Sequence, residues 1–316
     1  MPRNFADRLM DAVDSRHAPA VVALDPVVER LPPELMHGKP RKLPVDPDDI
    51  AGLLWEYGWR TIRAIHEAVP IVKINSAYFE RYHAAGVQVY HDLVGEAAAR
   101  GLLVIGDVKR GDVGHSAEMY AQAQLAAQDS AETAGNAVPD AVTVNGYFGA
   151  DGLKPFIGVA SREGKGLFVL VRTSNESAAA IQDVAAADGR KFHEVVAGVV
   201  AGLADDPNLI GERGFSAVGA VVATRDADDA VRLRAAMPRS VFLVPGYGAQ
   251  GGKAEDFLPY FTEGGNGAII AAGRSVIFAY QQAACRDRFG SDWESCVRAA
   301  CVDFVADLNR AIHPPP

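Results

Sequence analysis

Short apolar runs, each followed by a stretch able to hold a helix, recur along the 316-residue chain. They occupy positions 21–25, 71–75, 102–109, 141–145, 166–174, 217–222, 241–246 and 267–273. Continuous apolar runs of this length are strands covered on both faces, and strands that alternate with helices build a parallel sheet. Eight such units predict an α/β fold closed into a TIM (β/α)8 barrel, which takes roughly 250 residues as one domain. A doubly wound open sheet is the other architecture that the pattern allows.

The intervening stretches carry helix signals of uneven strength. Ala-rich segments at 95–100 and 116–129 propagate helix well. Phe5, Leu9, Met10 and Val13 recur at helical spacing among charged neighbours, which is a surface helix and not the unbroken apolar core of a signal peptide. Pro32, Pro33, Pro40, Pro44 and Pro47 break up the connection after the first strand. Because the barrel pattern resumes afterwards, 26–70 reads as an extended excursion between the first two strands and not as a linker. Residues 291–313 form a C-terminal helical extension, with Trp293, Val297, Val302, Phe304 and Leu308 on its apolar face and Pro314 at its end. A single domain spanning 1–316 is expected.

Composition narrows the function. With 49% hydrophobic and 22% charged residues the chain has material for one large core. A formal net charge of −9 argues against a basic stripe for nucleic acid, although it leaves room for a local anion pocket. The weakly polar run 195–204 is too short for a bilayer, which takes about 20 residues, so no membrane partner is expected. Three cysteines, Cys285, Cys296 and Cys301, make neither a disulfide framework nor a paired CxxC zinc site. They read as idle thiols in a reducing cytoplasm.

In barrel enzymes the reacting groups stand at the C-terminal ends of the strands. Those ends here carry Asp25, then Lys73 with Asn75, Asp107 with Lys109, Asn145, Thr173 with Ser174, Pro245-Gly246, and Gly273-Arg274. The segment Asp107-Val-Lys-Arg-Gly-Asp112 is the most charged of them. If the strand continues through Lys109, period-two alternation sends Asp107 and Lys109 to the same side. Lys73 ends the neighbouring strand within reach of Asp107. A lone Asp-x-Lys reads better as a structural salt bridge at the rim. Adding Lys73, Asp112 and Asp25 favours function, because desolvating so many charges gains a fold little stability.

These residues carry a family resemblance. Asp107-Val-Lys-Arg-Gly-Asp-Val-Gly-His-Ser116, continuing to Tyr120-Ala, resembles the D-x-K-x-x-D signature of orotidine 5′-monophosphate decarboxylases, in particular their longer bacterial branch. In the same order come Ala23-Leu-Asp25-Pro, Val72-Lys-Ile-Asn75, Thr143-Val-Asn-Gly-Tyr-Phe-Gly149, Arg172-Thr-Ser-Asn175, Val244-Pro-Gly-Tyr-Gly-Ala-Gln250 and Ala272-Gly-Arg-Ser275.

The resemblance implies decarboxylation of orotidine 5′-monophosphate to uridine 5′-monophosphate without a metal or organic cofactor. It implies that Lys109 protonates C6, that Asp107 faces the substrate carboxylate, and that Lys73 keeps Asp107 ionised and meets the ribose. Asp25 would bond a ribose hydroxyl, and Ser174 with the Thr173 backbone would read the pyrimidine edge. Arg274, the backbone amides of 246–252 and of Gly273, and Gln250 would hold the phosphate beside Pro245. Asp112 and Ser116 would reach the neighbouring subunit's site, which makes the protein a homodimer. Four departures touch loop shape or small volumes: Ser116 for Thr, Val113 for Ile in the apolar wall, Asn145-Gly146 for Asn-Pro, and Asn175-Glu-Ser177 for Asn-Pro-Gly. Three readings stand beside this one: a magnesium-dependent sugar-phosphate decarboxylase or synthase of the same superfamily, a Schiff-base aldolase, and a nucleotide-binding barrel without activity. Against the first, Lys73 stands where a metal-binding carboxylate is expected. Against the second, neighbouring carboxylates favour the ammonium form of the lysines.

Overall fold

Strands form where the apolar runs stand: β1 (Ala20–Leu24), β2 (Ile71–Asn75), β3 (Leu103–Arg110), β4 (Ala141–Asn145), β5 (Gly166–Arg172), β6 (Ser216–Val222), β7 (Ser240–Pro245) and β8 (Ala268–Ala272). The computed structural model describes residues 2–36, 46–127, 136–224 and 226–314. All neighbouring pairs are parallel in chain order, and β1 closes on β8 through Ala20↔Ile270, Val21↔Ala271 and Val22↔Ala272. Closure rules out the open sheet.

The helices are α1 (Phe5–Arg16), α2 (Pro47–Ile65), α3 (Ala77–Glu80), α4 (His83–Ala99), α5 (Gly114–Leu125) and α6 (Gly149–Glu163). They continue with α7 (Ala178–Gln182), α8 (Phe192–Ala204), α9 (Ala227–Ala236), α10 (Arg274–Ile277), α11 (Ala283–Phe289) and α12 (Trp293–Ile312). Outward strand residues such as Val22, Leu24, Val72, Val104 and Val142 pack with them into one fully buried layer. Inward residues Val21, Ile71, Ile105, Ala141, Phe168, Val241 and Ile269 fill the barrel. The amphipathic N-terminal stripe has a definite task. Phe5, Leu9, Met10 and Val13 of α1 pack onto this inner layer, and Phe5 meets Phe168 edge-on at 6.0 Å between ring centroids. β5 opens with Gly166 because a Cβ there would lie 2.2 Å from Phe5 Cδ1. α1 thus plugs the N-terminal end of the barrel.

The excursion after β1 is more regular than the prolines suggested. Two short 3-10 turns, Val28–Arg30 and Pro33–Met36, precede α2, a 19-residue helix capped by Asp46 with Pro47 at its first position. Proline is tolerated there because the first turn has no amide to lose. Pro40 and Pro44 lie outside the described residues. The helix expected at 116–129 starts earlier and stops earlier, at Gly114–Leu125, where Ala126 turns extended.

The C-terminal extension is α12, which buries Trp293, Cys296, Val297, Cys301, Phe304 and Leu308. Val302 is a correction: half-exposed, it sits on the outer face, and Cys301, four residues after Val297, takes the core position as helical geometry requires. All three cysteines are free, and burial pushes the Cys301 thiol up to about 12. Among the described residues no helix is long and apolar enough to cross a membrane.

Candidate active site

Two buried charges stand above the apolar filling of the barrel, Lys73 and Asp107. Lys73 Nζ donates to Asp107 Oδ2 at 2.5 Å and lies 3.6 Å from Asp25 Oδ1. Lys109 Nζ donates to the other oxygen, Asp107 Oδ1, also at 2.5 Å. The Thr143 hydroxyl, from β4, donates to the same Oδ1 at 2.9 Å. Asp107 therefore accepts from three groups on three strands, while its side chain is only 7% exposed.

Burial alone pushes the Asp107 carboxyl up, but the ammonium groups of Lys73 and Lys109 outweigh it and hold Asp107 well below the usual carboxylate range. Burial likewise favours a neutral Lys73, and the Asp25 and Asp107 carboxylates overcome this and raise it above an ordinary lysine. Both groups are thus fixed in their charged forms across the neutral pH range, with field directions set before any ligand arrives.

The expected pairing of Asp107 with Lys109 is observed, though not by simple alternation. Against β4, β3 runs in register at Gly106↔Val142 and next at Arg110↔Val144, so the strand bulges between them. Lys109 itself has φ +45°, a left-handed conformation that non-glycine residues seldom adopt. The bulge, and not the strand period, folds the lysine back onto Asp107 while leaving its side chain half-exposed to the cavity.

A cavity of about 490 Å³ opens over these groups, within the usual range for small-molecule sites. Asp25, Lys73, Asn75, Asp107, Lys109, Thr173, Ser174, Pro245, Gln250, Gly273 and Arg274 all line it, as the strand-end reading expects. Leu170, Val221 and Leu243 form an apolar stretch of wall. Asp25 Oδ1 is buried and makes no hydrogen bond, its nearest cation being Lys73 Nζ at 3.6 Å, so it can still accept from a ligand donor. Arg274, exposed at the start of α10 beside Gly273, has no anionic partner among the described residues. Ser174 Oγ donates to Gln250 Oε1 at 3.1 Å, which joins the end of β5 to the loop after β7 across the cavity mouth.

Several expectations need correction. Of the Thr173 backbone, expected to read a pyrimidine edge, the amide donates to Gln182 Oε1 at 3.0 Å. The glycine-rich loop after β7 uses its own amides: Gly248 donates to Gly252 O, Ala249 to Tyr247 O, Gly251 to Gly248 O and Gly252 to Gly246 O. A loop with positive φ at Gly246, Gly248 and Gly251 folds onto itself, and its amides at 248, 249, 251 and 252 cannot at the same time cradle a phosphate. Asn145 does not line the cavity; its side chain accepts from the Tyr147 amide and starts a 3-10 turn. Val113 is half-exposed, Asp112 accepts from the adjacent Val113 amide, and Ser116 is exposed on α5. None of these three forms part of this chain's own cavity wall.

Other groups escaped the sequence reading. Thr143 had a visible signal, a lone hydroxyl in the otherwise apolar run of β4. Gln182, from α7, holds both Thr173 groups and is itself held by His193 Nδ1 on its carbonyl at 2.8 Å. Tyr247 lines the cavity, donates to Asp307 Oδ2 at 2.8 Å and packs on Phe304 at 4.4 Å, so α12 buttresses the loop after β7. Contacts this distant in sequence leave no local pattern to read.

Comparison with known proteins decides the family. The orotidine 5′-phosphate decarboxylase / HUMPS family model matches residues 43–287. The orotidine 5′-phosphate decarboxylase of Caldicellulosiruptor bescii is 38% identical over 314 residues, covering 98% of this chain and 99% of that protein. The chain belongs to the orotidine 5′-phosphate decarboxylase family. The Rhodopirellula baltica orotidine 5′-phosphate decarboxylase is 35% identical, with 96% of this chain and 99% of the relative covered. Among solved structures, Leishmania donovani OMP decarboxylase superposes with a TM-score of 0.72 at 26% identity, over 98% of this chain and 99% of the other.

Proposed function

We propose that this chain decarboxylates orotidine 5′-monophosphate to uridine 5′-monophosphate in pyrimidine biosynthesis, with Lys109 as the proton donor to C6. The observation that carries the reading is Asp107, buried, ionised and bonded to Lys73, Lys109 and Thr143 at the base of a nucleotide-sized cavity. In the reaction the C6–carboxylate bond breaks, CO₂ leaves, and its electron pair stays on C6. The Lys109 ammonium gives its proton to that carbon and is reprotonated from solvent. Lys73 and Lys109 are oriented before charge develops and need not reorganise as it does, which is how fixed charges lower such a barrier. Asp107 repels the substrate carboxylate, and the apolar wall of Leu170, Val221 and Leu243 favours neutral CO₂ over the anion.

Asp25, whose Oδ1 makes no hydrogen bond, takes a ribose hydroxyl. Arg274 pairs bidentately with the phosphate, as a planar guanidinium is suited to do, and Gly273 supplies the adjacent backbone. Ser174, already tied to Gln250, faces the pyrimidine edge and couples base recognition to the phosphate side. The reaction is metal-free in this reading because the partner facing Asp107 is the Lys73 ammonium, which repels a divalent cation.

The working unit is a cytoplasmic homodimer in which Asp112 and Ser116 enter the partner's site. Exposed Val113, Met119, Tyr120, Tyr147 and Phe148 support this, since they give α5 and the turn after β4 an apolar surface beside the cavity mouth.

Loss of the orotate absorbance band on mixing purified protein with orotidine 5′-monophosphate in EDTA tests the reading. No loss with folded protein, together with turnover of a sugar phosphate once magnesium is added, refutes it.

A further inference from the structure

The β3 bulge sets Lys109 in a conformation that its own strand does not stabilise, and one side chain compensates. Thr143 is 1% exposed in an otherwise apolar stretch of strand. Its Oγ1 accepts from the Lys109 backbone amide at 3.0 Å and donates to Asp107 Oδ1 at 2.9 Å. A single hydroxyl therefore captures the amide of a residue held at φ +45° and fixes the carboxylate oxygen that receives the lysine's Nζ at 2.5 Å. The register break between Gly106 and Arg110 leaves that amide without a regular ladder acceptor, and a buried amide is costly to leave unpaired.

We infer that Thr143 is a positioning residue for decarboxylation: its hydroxyl locks the Lys109 backbone in the left-handed bend and orients Asp107, so that Nζ is presented to C6. It touches no reacting atom. Without the hydroxyl the amide of Lys109 relaxes toward the ordinary strand region, which swings the side chain off Asp107. Small misplacements of a proton donor cost rate more than binding, so the loss falls on kcat.

The inference rests on the roles given above to Lys109 and Asp107. Wild type and Lys109→Ala are therefore assayed alongside: an inactive wild type or an active Lys109→Ala refutes those roles, whatever Thr143 does. The test compares Thr143→Val, which keeps the shape and removes the hydroxyl, with Thr143→Ser, which does the reverse. For Thr143→Val kcat falls about 10- to 100-fold, the range for losing a hydrogen bond to a charged group, while KM stays within about threefold. Thr143→Ser restores kcat to within about threefold of wild type. Affinity for uridine 5′-monophosphate is unchanged within about twofold in both variants. Affinity for its 6-oxido analogue, which puts negative charge where the carbanion forms, falls with kcat in Thr143→Val only.

A packing role gives the opposite pattern: Thr143→Ser, lacking the methyl group, is the impaired one. That result overturns the inference, as does wild-type kcat in Thr143→Val or an equal loss of product binding and turnover. If Thr143→Val does not fold, the ratio of kcat between Thr143→Ser and Thr143→Ala, which differ by the hydroxyl alone, decides: about tenfold or more supports the role, and near unity overturns it.

Discussion

Replacing Asp107 by Asn removes one negative charge and no volume. Asp107 is the acceptor shared by Lys73, Lys109 and Thr143, and without its charge the buried Lys73 keeps only Asp25, 3.6 Å away. Breaking a buried pair costs ~3–5 kcal/mol; with one carboxylate left, the low end, about 3 kcal/mol, applies. An unfolding entropy of about 2.1 cal/mol/K per residue gives roughly 0.66 kcal/mol/K for a chain of this size, so Tm falls by about 4–5 °C. The pH dependence carries the sharper sign. Because the folded carboxyl lies below its unfolded value of roughly 3.9, its contribution is complete above that pH and is lost as pH falls toward the folded pKa. The Tm gap between wild type and Asp107→Asn is therefore constant from about pH 6 to 9 and narrows below about pH 4. Differential scanning calorimetry across that range is the assay. A Tm at pH 7 equal to or above wild type refutes the reasoning: the cluster is then held under strain by the fold instead of stabilising it. A gap that persists undiminished at pH 3 refutes the charge assignment.

The two lysines separate by burial: Lys73→Ala leaves Asp25 without a cation and Asp107 with Lys109 alone, and lowers Tm by several degrees more than Lys109→Ala, whose side chain is half-exposed. Equal shifts in a thermal melt argue against that asymmetry. If Asp112 completes the partner's site, Lys109→Ala and Asp112→Ala are each inactive, but mixed and reassociated in equal amounts they recover about a quarter of wild-type activity, because half the dimers carry one intact site. No recovery, with heterodimers shown by mass spectrometry, excludes the shared site. Arg274→Ala raises KM for orotidine 5′-monophosphate at least about tenfold, yet leaves turnover of orotidine, which lacks the phosphate, unchanged within a factor of about two. An equal loss on both substrates means that Arg274 does not bind phosphate.

The barrel was legible because its evidence is periodic. Eight apolar runs bounded by polar ends need only local reading, and so does the ring of Asp25, Lys73, Asp107 and Arg274 that those ends define. What escaped depends on tertiary geometry. Alternation put Lys109 beside Asp107 for an incomplete reason, since the bulge at Gly106–Arg110 brings them together. Glycines after β7 suggested a phosphate cradle, but four of the amides close the loop on itself. Glycine content shows that a loop can turn tightly and does not show where its donors point. Thr143 and the Tyr247–Asp307 bond join strands or helices far apart in the chain, and no spacing rule marks them. Val302 was misplaced by one position on a helix where Cys301 served as the apolar residue.

The central claim is that Lys109 delivers the proton, and Lys109→Ala measures it most directly. Stopped-flow absorbance of orotidine 5′-monophosphate in EDTA gives turnover, and calorimetric titration with uridine 5′-monophosphate gives site integrity. In Lys109→Ala kcat falls about 10²- to 10⁴-fold, the worth of a positioned general acid, with product affinity within about threefold of wild type. Turnover by Lys109→Ala within about tenfold of wild type would contradict it, and the proton donor would have to be sought elsewhere in the cavity.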